Sequence, residues 1–409
     1  MGIFMAAERE QQPVQLMGLQ AARAAAAVLV LLFHTSGSIF GLTKYGGVKP
    51  FGNVFDFGNA GVNFFFVLSG FIIFYAHGKD IGQPRRLGAY FWKRFSRIYP
   101  IYWIVLLIVL PVYFIVPTFG TGNETNPWVI LSSFLLVHIK SEKTVLIVSW
   151  TLFQEILFYF IFALLIVNRR LGLFILTIWL AASLAPLITP LIFGPLPEGT
   201  SFYFDPLHLL FGMGMAAALW ASGRKIQAPG FLLACGVAAF LGTGMERAYF
   251  QTLSWGVEDL LFGLASTAIL LGLVGLERMH RLRIPDWVAL TGEASYVIYL
   301  THFMILSLAA KIILPSLRQL HSPDGLSFFI LAALALIAGI GFHKRVEKPL
   351  LLLTRRQFFR RPVPPPTPKP QATNLDRNLG PNLGPSLAPE PGQSLGTVRQ
   401  PTAGVSRDG

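Results

Sequence analysis

Apolar residues along this chain gather into blocks of about 20, at roughly 17–37, 57–77, 98–117, 149–168, 171–193, 204–222, 229–245, 255–276, 286–309 and 325–343. A helix of about 20 apolar residues crosses a hydrocarbon layer of roughly 30 Å, so ten membrane helices are predicted. An eleventh apolar stretch, Trp128–Ile139, has only 12 residues and fits a re-entrant or interfacial helix. Composition agrees with this pattern. Of 409 residues, 53% are hydrophobic and 13% charged, against roughly 25% charged in ordinary soluble domains. The mean hydropathy is +0.57. A soluble chain of this length would have to divide so much apolar surface among several cores. The expected fold class is all-α, a polytopic membrane protein with about ten transmembrane helices.

Charge then decides the sidedness. With the N-terminus inside and Trp128–Ile139 not crossing, 21 Lys and Arg between Arg9 and Arg361 fall on the cytoplasmic side and 7 on the other. That asymmetry satisfies the positive-inside rule, whereas a crossing at Trp128–Ile139 would move Arg169, Arg170 and every later basic loop outside. Both termini are therefore expected in the cytoplasm. The net charge of +13 is largely topological, which argues against nucleic acid as a partner and for contact with membrane lipids. Residues 1–15 are polar and Arg23 interrupts the first block, unlike a cleavable signal. A lone cysteine, Cys235, excludes an intrachain disulfide, a Cys-rich metal cluster and a CxxC redox site. The expected division is a cytoplasmic N-terminus at 1–16, a membrane domain at 17–361 and a Pro-rich, disordered cytoplasmic tail at 362–409. Val346–Phe359, apolar and basic, is expected to form a short helix on the inner leaflet.

Ionisable side chains within the apolar blocks are costly, about 3 kcal/mol or more at the bilayer centre, and so mark candidate chemistry. They are Arg23, His34, Glu155, Asp205, His208, Glu258, Asp259, Glu293 and His302. Arg23 and His34 lie 11 residues apart. That separation returns them to one helix face, about 20° out of register and about 16 Å apart along the axis. On spacing alone, a snorkelling Arg23 and a helix-end His34 are equal alternatives. In the loop 78–97, Arg86, Tyr90, Lys93 and Arg97 share a helical face, a basic and aromatic strip suited either to a nucleotide-like cofactor or to anionic lipid. Glu155 and Tyr159 are i, i+4 neighbours, and Ser295, Tyr299 and His302 stack along one face. Asp205 with His208, and Glu258 with Asp259, are candidate internal polar pairs. The second block, rich in small residues with Asn63 and Ser69, signals close helix packing.

Several motifs share an order and spacing. They are Arg23 and His34 separated by ten residues, Gly61-Val-Asn-Phe-Phe-Phe-Val-Leu-Ser-Gly-Phe71, and Arg94-Phe-Ser-Arg-Ile-Tyr-Pro-Ile-Tyr-Trp103. Ser149-Trp-Thr-Leu-Phe-Gln-Glu155, Tyr296-Val-Ile-Tyr-Leu-Thr-His302 and Glu347-Lys-Pro349 complete the series. From Arg23 to Pro349 the chain resembles the acyltransferase-3 family of integral-membrane O-acyltransferases. Thr151 and Phe153-Gln154 depart from the family's usual choices, and no hydrolase-like extracellular domain follows the last block. Any partner activity, such as that of polysaccharide-assembly proteins, would come from another chain.

The resemblance implies transfer of an acyl group, commonly acetyl, from acyl-CoA to a hydroxyl on a carbohydrate or glycolipid acceptor, in a bacterial inner membrane and with no metal. In that reading Arg23, Arg94 and Arg97 hold the donor's phosphate end. His34 acts as general base or transient acyl carrier, Glu155 orients its imidazole, and Tyr299 or His302 donates to the thioester oxygen. The alternative is a transporter or flippase for an anionic or lipid-linked sugar, against which stands the lack of a detectable inverted repeat. Acyl-CoA-dependent transfer by the purified protein separates the two.

Overall fold

The structure, a computed structural model, describes residues 16–139, 143–192 and 200–359, with side chains left out at 189–192, 200–201 and 355–359. The unit Met1–Arg360 contains all of these. The expected tail at 362–409 lies outside the described residues.

Every regular element among the described residues is helical. In chain order these are α1 (Met17–Phe33), α2 (Ala60–His77), α3 (Leu87–Ile115), α4 (Pro127–Leu135) and α5 (Trp150–Val167). Next come α6 (Arg169–Ala182), α7 (Ala185–Ile192), α8 (Thr200–Tyr203), α9 (Leu207–Gly223) and α10 (Pro229–Met245). The chain closes with α11 (Trp255–Arg278), α12 (Asp286–Glu293), α13 (Ser295–Gln319), α14 (Asp324–Phe342) and α15 (Lys348–Phe359). Among the described residues, nine helices are long and apolar enough to span a membrane, and α9 adds a shorter apolar helix of 17 residues. Large apolar side chains such as Phe160, Phe174, Phe231 and Ile337 stay exposed on the outside of the bundle. That is what helices facing lipid require.

Helix ends pair consistently. Glu277, at the end of α11, accepts from the Met17 and Gly18 amides that begin α1, at 2.6 and 2.9 Å. A carboxylate there satisfies orphan N–H groups and complements the helix dipole. Arg278 donates to the Ala221 carbonyl near the end of α9 at 2.6 Å, so α9 and α11 run together. The Gly82 amide donates to Leu165 O at 2.9 Å, and Tyr90 Oη to Tyr159 O at 3.0 Å. The start of α3 thus lies beside the end of α5, and the two run antiparallel. An odd number of crossings between them is thereby excluded, and α4 enters and leaves from one end. Its length explains why: nine residues rise about 13 Å. Its final carbonyls are met by α3, with Tyr99, Tyr102 and Trp103 donating to Leu135, Ser133 and Phe134 at 2.9, 2.8 and 2.9 Å. Irregular backbone inside a membrane protein needs such partners.

The structure alters two expected boundaries. The third membrane helix begins at Leu87, absorbing much of the presumed loop. The ninth block breaks at Ala294 into α12 and α13. Gly292 permits that break to pack on α1: a Cβ there would lie 2.0 Å from Gln20 O. Lys348–Phe359 is helical, joined to α14 through a π-wound turn, His343–Glu347, where His343 Nδ1 and Glu347 Oε2 lie 2.5 Å apart. Small residues on α2 have the packing role their pattern implied. A Cβ at Gly70 would meet Phe211 O at 2.1 Å, and one at Gly214 would meet Val67 O at 1.9 Å.

Candidate active site

Five helices enclose a cavity of about 760 Å³ counted out to its mouth. Arg23 enters it from α1, Phe65 and Ser69 from α2, and Arg94 and Arg97 from α3; Glu155 and Tyr159 come from α5, and Ser295 and Tyr299 from α13. All three arginines expected to hold a donor therefore line one chamber. Residues 23, 94 and 295 lie 71 to 272 positions apart, so only the packing of α1, α3 and α13 unites them.

None of the three guanidinium groups forms an ion pair with a described residue. Arg23 Nε donates to the neutral Ser295 hydroxyl at 3.1 Å. Its electrostatic neighbours are Arg97 and the carboxylates Glu347, Glu155 and Glu293. Arg94 is buried, with Nη2 3.2 Å from His77 Nε2, its guanidinium 5.8 Å from the Tyr159 ring centre, and Nε buried without a partner. Arg97 makes no hydrogen bond to a described residue. The single lining carboxylate, Glu155, takes hydrogen bonds through Oε1 from Ser69 Oγ at 3.0 Å and from Tyr159 Oη. Three cations facing one carboxylate leave the chamber cationic, with guanidinium donors free for phosphate-like oxygens.

The basic strip is rearranged relative to expectation. Tyr90 is fully buried, packed on His77 and Phe162, while Lys93 points out and Arg86 sits 3.9 Å from Asp80. Burial of Tyr90 turns Arg94 and Arg97, rather than Arg86 and Lys93, toward the chamber. His77 is the residue that sequence reasoning missed. Its Nδ1 lies 2.7 Å from Asp80 Oδ2, which fixes the proton there and offers the Nε2 lone pair to Arg94. A His and Asp at i, i+3 beside a basic segment was the available signal.

His34 and His302 lie outside the chamber wall, one ring beyond Tyr299. The Tyr299 and His302 ring centres are 5.9 Å apart, and those of His34 and His302 5.0 Å. His302 Nδ1 faces the Ile298 and Tyr299 carbonyls at 3.1 and 2.7 Å, so its proton is committed to the backbone. Its Nε2 lone pair faces His34 Nδ1 at 3.2 Å, and that same nitrogen lies 3.0 Å from Val30 O. Both partners of His34 Nδ1 are acceptors, so the network assigns the proton to Nδ1 and leaves Nε2 as a free base. The side chain beside His34 is His302, not Glu155, because α13 packs beside α1 at that level. The Nδ1 proton of His302 faces the backbone rather than the chamber. At the chamber wall Tyr299 Oη donates its one proton to Val148 O at 3.0 Å and lies 2.9 Å from Thr151 Oγ1.

The other expected pairs separate as well. Asp205 accepts from the Leu207 amide, whereas His208 Nε2 meets Gln154 Oε1 at 2.5 Å under the Trp179 ring. Glu258 pairs with Arg247 at 3.3 Å, and Asp259 accepts from Asn63 Nδ2 at 2.7 Å.

A helical membrane bundle enclosing a cationic chamber, with an aligned imidazole pair beside it, is the framework of a membrane-embedded group-transfer enzyme. The chain belongs to the acyltransferase-3 family, whose model, an acyltransferase domain, matches residues 17–343. It is similar to exopolysaccharide production protein ExoZ of Rhizobium meliloti (strain 1021), 28% identical over 319 residues that cover 73% of this chain and 92% of the relative. It is also similar to acyltransferase MdmB of Streptomyces mycarofaciens, 26% identical over 393 residues, covering 86% and 94%. No solved structure matches the chain. The protein is an O-acyltransferase, and the transport reading is set aside.

Proposed function

We propose that the protein moves a short acyl group, acetyl in the first instance, from acyl-CoA to a hydroxyl of a carbohydrate-containing acceptor, in a bacterial inner membrane with both termini cytoplasmic. One observation carries this reading: three guanidinium groups without ion pairs face a single carboxylate in one chamber. Acyl-CoA presents several phosphate charges, and such a donor set suits them. Arg23, Arg94 and Arg97 bind the donor's anionic end, which enters from the end of the bundle that carries most of the basic loops. Tyr299 donates to the thioester oxygen by turning its hydroxyl from the Val148 carbonyl. The acceptor oxygen bonds to the acyl carbon as the carbon–sulfur bond breaks. Its proton passes to His34 Nε2 and then to the departing thiolate. Glu155 balances the chamber's charge. A carbohydrate acceptor is supported by the likeness to a protein named for exopolysaccharide production.

The test is titration of purified protein in lipid nanodiscs with radiolabelled acetyl-CoA. Arg23→Ala and Arg97→Ala are each expected to weaken binding at least tenfold, since a hydrogen bond to a charged group contributes about 1.5–3 kcal/mol. His34→Ala is expected to bind the donor and transfer nothing. Unchanged affinity in both arginine variants refutes the donor site, and transfer by His34→Ala refutes the base.

A further inference from the structure

A second cavity, of about 1340 Å³ counted likewise out to its mouth, opens where α2, α5, α9 and α11 begin and α10 ends, at the opposite end of the bundle from Arg23. Its walls include Trp150, Trp255, Asp205, Asp259 and Arg247. The indoles of Trp150 and Trp255 are 40% and 72% exposed. Arg247 is 8% exposed; its guanidinium lies 4.4 Å from the Trp255 ring centre, its Nε 3.3 Å from Glu258, and its Nη1 is buried with no partner. Asn59 Oδ1, also in the wall, is a buried acceptor with no partner. Asp259 and Asp205 each spend one oxygen on the protein, on Asn63 Nδ2 and the Leu207 amide, and keep the other free of described partners. A free donor, free acceptors and indole faces around one volume match a pyranose ring, whose hydroxyls donate and accept and whose C–H faces stack on aromatics.

Charge narrows the ligand. Asp205 and Asp259 line the cavity, while Arg247 is already matched by Glu258, so the wall is net anionic. The arginine chamber has the opposite sign. An anionic donor is thus favoured in one cavity and disfavoured in the other, as is any sugar bearing a carboxylate. The two cavities are neighbours. Val62 lines both, and α5 contributes Trp150 to one and Thr151 to the other.

We propose that the outer cavity is the acceptor site and that it takes a hexopyranosyl ring without a carboxylate. This inference rests on the acyl-transfer reading above. Its test is saturation-transfer NMR on the full chain in nanodiscs, with methyl β-D-glucopyranoside, methyl β-D-glucosaminide and methyl β-D-glucuronide as probes. The first two are expected to bind and the glucuronide not to. Trp255→Ala is expected to weaken glucoside binding at least tenfold while Trp255→Phe restores most of it, and the exposed indole makes both variants mild for folding. Asp259→Asn keeps the acceptor for Asn63, and is expected to weaken glucoside binding and to admit the glucuronide. No binding by the wild type, preference for the glucuronide, or unchanged binding in Trp255→Ala and Asp259→Asn would overturn the assignment. Binding as expected, with no labelled acetyl passing from acetyl-CoA to any glycoside, leaves the glycoside site standing and refutes the acyl-CoA reading instead.

Discussion

The hydrogen-bonded chain from Asp80 through His77 to Arg94 gives the sharpest perturbation. Arg94 is 9% exposed and His77 2% exposed, so neither has water to fall back on. His77→Phe keeps a planar ring against Tyr90 but removes the lone pair that receives Arg94 Nη2. Arg94 already has Nε buried without a partner, so the variant adds a second unsatisfied donor on one buried cation. Leaving such a donor unmet costs about 1–3 kcal/mol. At about 1.4 kcal/mol per factor of ten, donor affinity should fall about 5- to 150-fold, as Arg94 turns from the chamber toward other acceptors. His77→Gln places an amide oxygen where an acceptor is needed and should recover most of the loss. The assay is acetyl-CoA titration in parallel with acceptor KM, with thermal melting to confirm the fold. Donor affinity unchanged in the Phe variant, or donor and acceptor affinity falling together, would refute a positioning role for His77.

Two further expectations concern the scaffold. Gly214→Ala drives a methyl to 1.9 Å from Val67 O, so α2 and α9 must part. Overpacking of this kind costs about 3 kcal/mol at the upper end of its usual range, read as lost thermostability in size-exclusion profiles. Gly212→Ala meets only the end of the Leu180 side chain at 3.0 Å and should be tolerated; equal stability of the two variants would refute the close-approach argument. In the loop before α4, burial pushes the Glu124 carboxyl up. Hydrogen bonds from the Thr121 amide and hydroxyl and the Gly122 amide outweigh it and hold the group below its ordinary range. A depressed carboxyl contributes loop order that is complete above its unfolded pKa, about 4.3, and lost as pH falls through the lower folded value. Hydrogen exchange should show the Thr121 and Gly122 amides losing protection in that acid window, and constant protection through it would refute the cap.

Much of the site was legible one helix at a time. The spacing of Arg23 and His34 put both on one face of α1, and both do turn toward α13, to Ser295 and His302. Ser295, Tyr299 and His302 do share a face. The i, i+4 pair Glu155 and Tyr159 is hydrogen-bonded. Partners between helices were not legible. Glu155 and His34 were expected to pair, yet Glu155 bonds to Ser69 and Tyr159 while His34 meets His302 and Val30 O. Asp205 and His208 share a turn and bond to different helices.

The sequence by itself determined the all-helical class, the membrane spans, the short non-crossing helix and which scarce ionisable groups are candidates for chemistry. Those follow from periodicity, length and desolvation cost, which are properties of consecutive residues. Tertiary structure alone decided that Arg94 rather than Lys93 turns inward, that His302 lies against His34, and that two cavities of opposite charge share Val62 as a wall. Each depends on close approach between helices far apart in the chain, where a missing Cβ or a buried ring sets the rotation of a whole helix.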